Sequence, residues 1–397
     1  MRIVSVVGAR PNFMKLAPVD RELARRADVE HVIVHTGEHY DPEMSDAFFD
    51  ELWIPAPDHH LGVGSRSHAA QTAAVMERLE PLLVQLRPDA VLVYGDVNST
   101  LAAALVAAKV GLRVGHVEAG LRSGDRTMPE EINRVVVDRL SDLLFVPSRD
   151  AEANLRAEGI PAERVHFVGN VIIDSLCWAL PHALERHAPA RHRLREGEYV
   201  VVTLHRPANV DDPATLRVLL ETLHSLSRRW PVLFPMHPRA RKRLRGVDIT
   251  RGADLRLMPP VGYPEMLGLV AGAALVITDS GGLQEETTFL GVPCLTVRPN
   301  TERPITCVHG TNRLVQPRPD TILAAAERAV ARRSPARPMI ERWDGRAAQR
   351  IVSVLCDDER LDDVAVEEER PLRHAVASPL LERAQGQQRV QHEEVGV

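Results

Sequence analysis

The chain has 397 residues, of which 44% are hydrophobic and 26% charged, and a net charge of −5. Its length suffices for two domains of ordinary size, while its mild acidity excludes a global pull toward nucleic acid or anionic membrane, so any basic site is local. Four cysteines without a CxxC pair argue for reduced thiols in a cytoplasmic protein; the N-terminal apolar run "IVSVVG" is too short for a signal peptide's hydrophobic segment, and no run approaches a membrane span.

Short apolar runs alternate with helical patterns from the start. "RIVSVVG" reads as a strand and "FMKLAPVDRELARR" as a helix with Asn12 as N-cap. The strand "EHVIVHTG" and the long helix "SHAAQTAAVMERLEPLLVQL" follow. Next come the strand "AVLVYGD", the Ala-rich helix "STLAAALVAAKVG", and the strands "RVGHVEAG", "LLFVPS" and "ERVHFVGN". Residues 179–198 are polar, basic and Pro-containing, and read as a connecting segment. A second series then runs through "YVVVTLH", "ATLRVLLETLHSLSRRW", "PVLFPMH", "LRLMPP", "ALVITDS" and "PCLTVRP". Apolar strands separated by helices give parallel sheets covered on both faces.

The expectation is an α/β protein of two doubly wound domains, 1–174 and 175–340, facing a central cleft. A helix in 341–356 packs back on the first domain, and 357–397, charged and Gln-rich, forms a disordered tail without a chemical role. Ligands of such sheets bind at the carboxyl ends of strands. Seventeen histidines contain one adjacent pair, His59–His60, and no HExxH, so no metal site is expected.

The candidate residues lie in turns after strands. "VVGARPNFMK" sets Arg10 and Lys15 around a strand-to-helix turn, a natural polyanion site, although the pattern is not a Walker A loop. "VLVYGDVNST" ends a strand on Asp96, either a cap or an acid/base group. "VGHVEAGLRSGDRTMPEEINR" puts His116 and Glu118 on one strand face, then Glu130 and Glu131 in a helix's first turn. Asp96, Glu118 and Glu130 share one edge, which is more than capping needs. In the second series, "VVTLHRPANV" ends on His205 and Arg206, and "FPMHPRARKR" adds His237 among bases that read as a solvated face. "LVITDSGGLQEETTFLG" offers the N–H groups of Ser280, Gly281 and Gly282 to a phosphate. Glu286, which would repel a phosphate, suits the hydroxyls of a ribose. Arg303 in "NTERPIT" supplies a further cation.

Together, "GARPNFMK", "YGDVNSTLA", "HVEAGLRSGDRTMPEEINR", "TLHR", "TDSGGLQEE" and "TERP", in this order over residues 1–355, resemble the non-hydrolysing UDP-N-acetylglucosamine 2-epimerases. The resemblance implies two Rossmann-like domains of GT-B type, a UDP-sugar substrate, a homodimer, a role in polysaccharide precursor supply, and no metal or redox cofactor. It implies inversion at C2 by elimination of UDP to a 2-acetamidoglucal and re-addition. Asp96, Glu118 and Glu130 are then the acid/base groups, assisted by His205. Arg10, Lys15, His205, Ser280, Gly281, Gly282, Glu286 and Arg303 form the nucleotide-sugar site. The chain departs from the family pattern at Glu38, where "TGQH" carries a Gln near a second, activating substrate site, after "HR", and at Ile305. Tyr263 and Met266 are the nearest candidates for contact with the base. A diacetamido-uronate substrate, a hydrolysing epimerase, a GT-B glycosyltransferase and a catalytically silent binding module are the competing readings.

Overall fold

The computed structural model describes residues 1–38, 51–236, 254–331 and 337–356. His237 and the expected tail at 357–397 lie outside the described residues. Seven strands, β1 (Arg2–Val7), β2 (Glu30–His35), β3 (His59–His60), β4 (Ala90–Tyr94), β5 (Arg113–Val117), β6 (Leu143–Val146) and β7 (Val165–Phe167), form a first sheet in the order β3-β2-β1-β4-β5-β6-β7. Six more, β8 (Val200–Thr203), β9 (Val232–Pro235), β10 (Leu255–Met258), β11 (Leu275–Thr278), β12 (Cys294–Val297) and β13 (Asn312–Val315), form a second in the order β10-β9-β8-β11-β12-β13. Every neighbouring pair in both sheets is parallel.

Strand order reverses between β1 and β4 in the first sheet and between β8 and β11 in the second. A doubly wound sheet opens a crevice at such a reversal, because the flanking helices leave to opposite faces. Arg10 follows β1, Asp96 follows β4, His205 follows β8 and Ser280 follows β11. Both crevices are therefore lined by the turns that the sequence singles out.

Hydrophobic burial fixes the strands in register. In the first sheet Val4, Val6, Val91, Val93 and Val114 pack against Leu79 and Leu83 of α2 (His68–Leu86), Ala103 and Ala107 of α3 (Asn98–Lys109) and Val137 of α4 (Pro129–Leu140). In the second, Val200, Val202, Phe234, Ile277 and Leu295 pack against Leu216, Leu219 and Leu223 of α7 (Pro213–Leu226) and Ile322 and Ala325 of α10 (Pro319–Ala331). Burying each such aliphatic side chain contributes roughly 1.5–3 kcal/mol.

Two expectations need correction. Asn12 does not cap α1 (Arg10–Leu23) from outside. It sits within the first turn, where its Oδ1 accepts the N–H groups of Gly8 and Ala9 at 3.0 Å each and its Nδ2 donates to the Tyr94 carbonyl at 2.7 Å. The connecting segment at 179–198 is largely helical: α6 runs from Val171 to Glu185 and carries Pro181 inside it, and a further turn covers Ala188–Arg191. Leu176, Leu180 and Ala183 give α6 an apolar stripe, and it packs on α1, on α8 (Tyr263–Ala271) and on α9 (Gly281–Leu290). Strands β3 and β13 went unread because one has two residues and the other begins on Asn312 and Arg313.

The chain then returns to the first sheet's side. Trp343 Nε1 donates to the Pro147 carbonyl at 3.1 Å and Arg350 to the Val168 carbonyl at 2.9 Å. Asp174 of α6 accepts the Ala348 N–H at 2.8 Å, in the first turn of α11 (Ala347–Leu355). Met1–Val352 form one compact unit. Ser353–Val397 group separately, and only Ser353–Cys356 of them are described.

Candidate active site

The two halves meet at Glu118, the residue directly after β5. Its backbone φ is +74°, a left-handed value rare for a side chain of this size, and its carboxylate is buried. Lys15 Nζ of α1 forms an ion pair with Oε2, and Arg303 Nη2 reaches Oε1 at 2.5 Å from the loop after β12. Burial alone would push this carboxyl up, but Lys15 and Arg303 outweigh it and hold it below the ordinary glutamate range. A strained residue persists only where its surroundings fix it, and strain of this kind clusters at functional sites.

Arg303 binds more than one carboxylate. Nε stands 3.0 Å from Glu285 Oε2, and Nη1 pairs with Glu302. Glu302 also takes Arg298 at 2.7 Å. Desolvation opposes charging Glu302, yet Arg303 and Arg298 hold it far below the usual carboxylate range. Arg303, expected as a phosphate cation, thus has its guanidinium engaged with three carboxylates and reads as the joint between the two halves. Glu285 is left with its carboxyl raised to about 7, chiefly by burial, with Arg303 lowering it and Glu118 raising it.

Asp96 lies beside this cluster and is partly exposed. Its carboxylate pairs with Arg134 of α4, and its carbonyl accepts Asn133 Nδ2 at 2.8 Å. Arg134 is fully buried and also binds Glu131 at 2.5 Å. Glu131 in turn accepts the N–H groups of Ser123 and Gly124 at 3.0 and 2.9 Å. Of the adjacent pair in α4's first turn, Glu131 is therefore committed to the fold. Glu130 is exposed, within electrostatic reach of Arg206 after β8. His116 is fully buried, with Nδ1 2.7 Å from Asp138 and Nε2 2.8 Å from the Gly95 carbonyl, so it shapes the turn holding Asp96.

On the second sheet, Asp279 is the organising residue that the sequence reading passed over. Fully buried, it accepts the His205 and Arg206 N–H groups at 3.0 and 2.9 Å, Asn209 Nδ2 at 3.0 Å, and His205 Nδ1 at 2.9 Å. Burial works against its ionisation, but His205 and these donors hold it below the ordinary aspartate range. With Nδ1 tied to Asp279, Nε2 is the remaining polar atom of the half-exposed His205 ring.

The α9 start departs from its expected form in one respect. Ser280 is the N-cap without a side-chain cap bond, but its own N–H already donates to Thr278 Oγ1 at 3.0 Å. A Cβ at Gly281 would displace the Arg303 guanidinium and the Glu302 carboxylate, lying 2.5 Å from Arg303 Nη1 and 2.8 Å from Glu302 Oε1; Gly282 faces open space. Its first turn holds no acidic residue, which keeps the positive helix end open to an anion. One turn on, Glu286 is buried and accepts the Tyr263 hydroxyl at 3.2 Å. Burial lifts its carboxyl to about 7. Tyr263 is itself buried with its hydroxyl engaged, whereas Met266 is half-buried. Arg10, exposed at the start of α1, lies within electrostatic reach of Glu286 and Tyr263.

Glu38 is buried, and its Oε2 accepts the Ser99 N–H at 2.8 Å and hydroxyl at 2.6 Å. It therefore serves as the anion at the N-terminus of α3.

Residues 21–356 match the sequence family described as UDP-N-acetylglucosamine 2-epimerase. The chain is 41% identical over 336 residues to the UDP-N-acetylglucosamine 2-epimerase of Methanococcus maripaludis, covering 82% of this chain and 91% of that one. It is 40% identical over 337 residues to the UDP-2,3-diacetamido-2,3-dideoxy-D-glucuronate 2-epimerase of Pseudomonas aeruginosa, covering 84% and 93%. The crystal structure of the Methanocaldococcus jannaschii UDP-GlcNAc 2-epimerase in complex with UDP-GlcNAc and UDP superposes with a TM-score of 0.82 at 38% identity, over 90% of this chain and all of that one.

Proposed function

The chain belongs to the UDP-N-acetylglucosamine 2-epimerase family, isomerases of GT-B architecture that act on nucleotide sugars, and from that premise we propose that it interconverts UDP-N-acetylglucosamine and UDP-N-acetylmannosamine without net hydrolysis. The observation that carries the reading is the Glu118–Arg303 contact of 2.5 Å, which joins the acidic strand ends of the first sheet to the loop flanking α9 in the second.

The roles follow from position and charge. The α9 N-terminus at Gly281 and Gly282, with His205 Nε2 and Arg10, receives the diphosphate, and Glu286 receives the ribose hydroxyls. Breakage of the anomeric C–O bond leads, because a C2 proton without an adjacent carbonyl is poorly acidic. The departing electron pair goes to UDP, stabilised by the cations and helix end. Positive charge develops on the sugar ring beside Asp96, Glu118 and Glu130, as in glycoside cleavage. One carboxylate takes the C2 proton to give the glycal. UDP then adds back to C1 while a second group returns a proton to the other face of C2. Glu118, held ionised by Lys15 and Arg303, is the candidate acceptor of the C2 proton once the cationic ring makes that proton acidic, and Asp96 and Glu130 are the candidates for its return.

The reading includes two domains, each built on one sheet, in a cytoplasmic homodimer. The four cysteines, scattered in sequence without a CxxC pair, support the compartment; light scattering tests the dimer. A diacetamido-uronate substrate is the second reading, favoured by the 40% identity to the Pseudomonas aeruginosa relative.

Incubation with UDP-N-acetylglucosamine in D2O, without acceptor or added metal, tests the activity. The expected products are the UDP-linked manno isomer and deuterium at C2. Free sugar and UDP as end products would overturn the non-hydrolysing reading. Turnover of only the diacetamido-uronate sugar would transfer the assignment to that substrate.

A further inference from the structure

The short stretch Glu51–Ile54 belongs by chain position to the first-sheet half, and Asp58 beyond it accepts the Ile33 N–H of β2 at 2.8 Å. Leu52 and Ile54 are buried. Trp53 between them is half exposed and takes a φ of +50°, an outlier for a bulky residue, with its ring edge-on to Trp178 of α6 at 4.2 Å. Such a conformation persists only where both neighbours are fixed. What this arrangement presents is Glu51. Its Oε2 accepts the N–H of Tyr263, the first residue of α8, at 2.8 Å, across 212 positions of chain. Gly262 makes the approach feasible, since any Cβ there would overlap the Glu51 carboxylate.

The contact bears on the nucleotide site through one residue. Tyr263 is both the backbone donor to Glu51 and the hydroxyl donor to Glu286. Arg10 lies within electrostatic reach of Glu51 and Glu286, one carboxylate from each half. A carboxylate at a helix N-terminus neutralises orphan N–H groups and the positive helix end. Here that carboxylate comes from the opposite half of the molecule.

We propose that Glu51 is a positioning residue for nucleotide binding: it spans the two halves, holds the start of α8, and thereby sets the Tyr263 hydroxyl against Glu286. Nucleotide affinity is then coupled to the approach of the halves through a group that touches no substrate. The inference rests on the reading of Glu286 as a ribose ligand.

UDP affinity by calorimetry, with kcat and KM for the UDP-sugar, tests it in Glu51→Ala, Glu51→Gln, Tyr263→Phe, Glu51→Ala/Tyr263→Phe and Glu286→Ala. Glu51→Ala is expected to weaken UDP binding and raise KM about fivefold, the scale of a lost helix cap, while kcat changes less than about twofold. Glu51→Gln keeps an acceptor oxygen and recovers part of the loss. In the Tyr263→Phe background the Glu51 effect disappears. Gly262→Ala, which displaces the carboxylate without removing it, reproduces Glu51→Ala. Unchanged affinity in both Glu51→Ala and Gly262→Ala, or an undiminished Glu51 effect in the Tyr263→Phe background, overturns the coupling while Glu286→Ala still weakens UDP. Unchanged affinity in Glu286→Ala overturns the ribose reading and this inference with it.

Discussion

Glu286 and Glu118 are both buried glutamates, yet their surroundings drive them in opposite directions. Glu118 has two cations in contact and stays ionised. Glu286 has a neutral hydroxyl partner, and burial lifts its carboxyl to about 7. A carboxylate that accepts two ribose hydroxyls must be ionised in the complex. With its carboxyl raised to about 7, Glu286 in the proposed role is expected to release a proton when UDP binds, so that affinity rises with pH up to about 7 and levels off above it. Calorimetry in buffers of different ionisation enthalpy is expected to show this release in the wild type and its loss in Glu286→Gln. An equal release in both would assign the proton elsewhere. These charges were legible in the sequence as residue types, since "QEE" and "TERP" advertise them. Which glutamate pairs with which arginine was not legible, because Arg303 meets partners 18 and 185 positions away. Glu131 was the harder case. Sequence gives it the same helix-turn meaning as Glu130, and only the buried Arg134 separates their roles.

Secondary-structure elements followed from periodicity wherever an apolar run was long. Misreadings occurred where polarity concealed packing. In α6, surface-type residues such as His182 and Glu185 disguise a helix whose buried stripe meets both halves. The same helix carries Asp174, which accepts the Ala348 N–H and so caps α11. Burial raises the Asp174 carboxyl from 3.8 to about 7, with Asp344 adding to the rise and Ala348, Ala347 and Arg350 opposing it. A carboxyl with a raised folded-state pKa binds more protons folded than unfolded. Its stabilising contribution is complete below the unfolded value near 3.8 and disappears as pH rises through about 7. Asp174→Asn, which stays neutral, is expected to flatten the fall in Tm across this window relative to wild type, while the falls due to Glu285 and Glu286 remain. An identical Tm profile in both proteins would contradict the assignment.

At the scale of the whole molecule, two doubly wound sheets are joined through the turns after β5 and β12, and the proposed site lies where those turns meet. The order of motifs along the chain encoded this arrangement, because each candidate turn follows a strand. What it did not encode was the joint itself: Arg303 placed between Glu118, Glu285 and Glu302, Asn300 donating to Asp125 at 3.3 Å, and Glu51 on α8. Such contacts depend on the angle between the halves, which no local pattern specifies. In the proposed mechanism they matter because Glu118 on one half is held ionised by Arg303 from the other. The most direct measurement is the rate of deuterium entry at C2 of the UDP-sugar in D2O, compared between wild type and Glu118→Gln. The account predicts a fall of about a hundredfold or more in the variant, with UDP affinity within about twofold of wild type. Deuterium entry at the wild-type rate would contradict it.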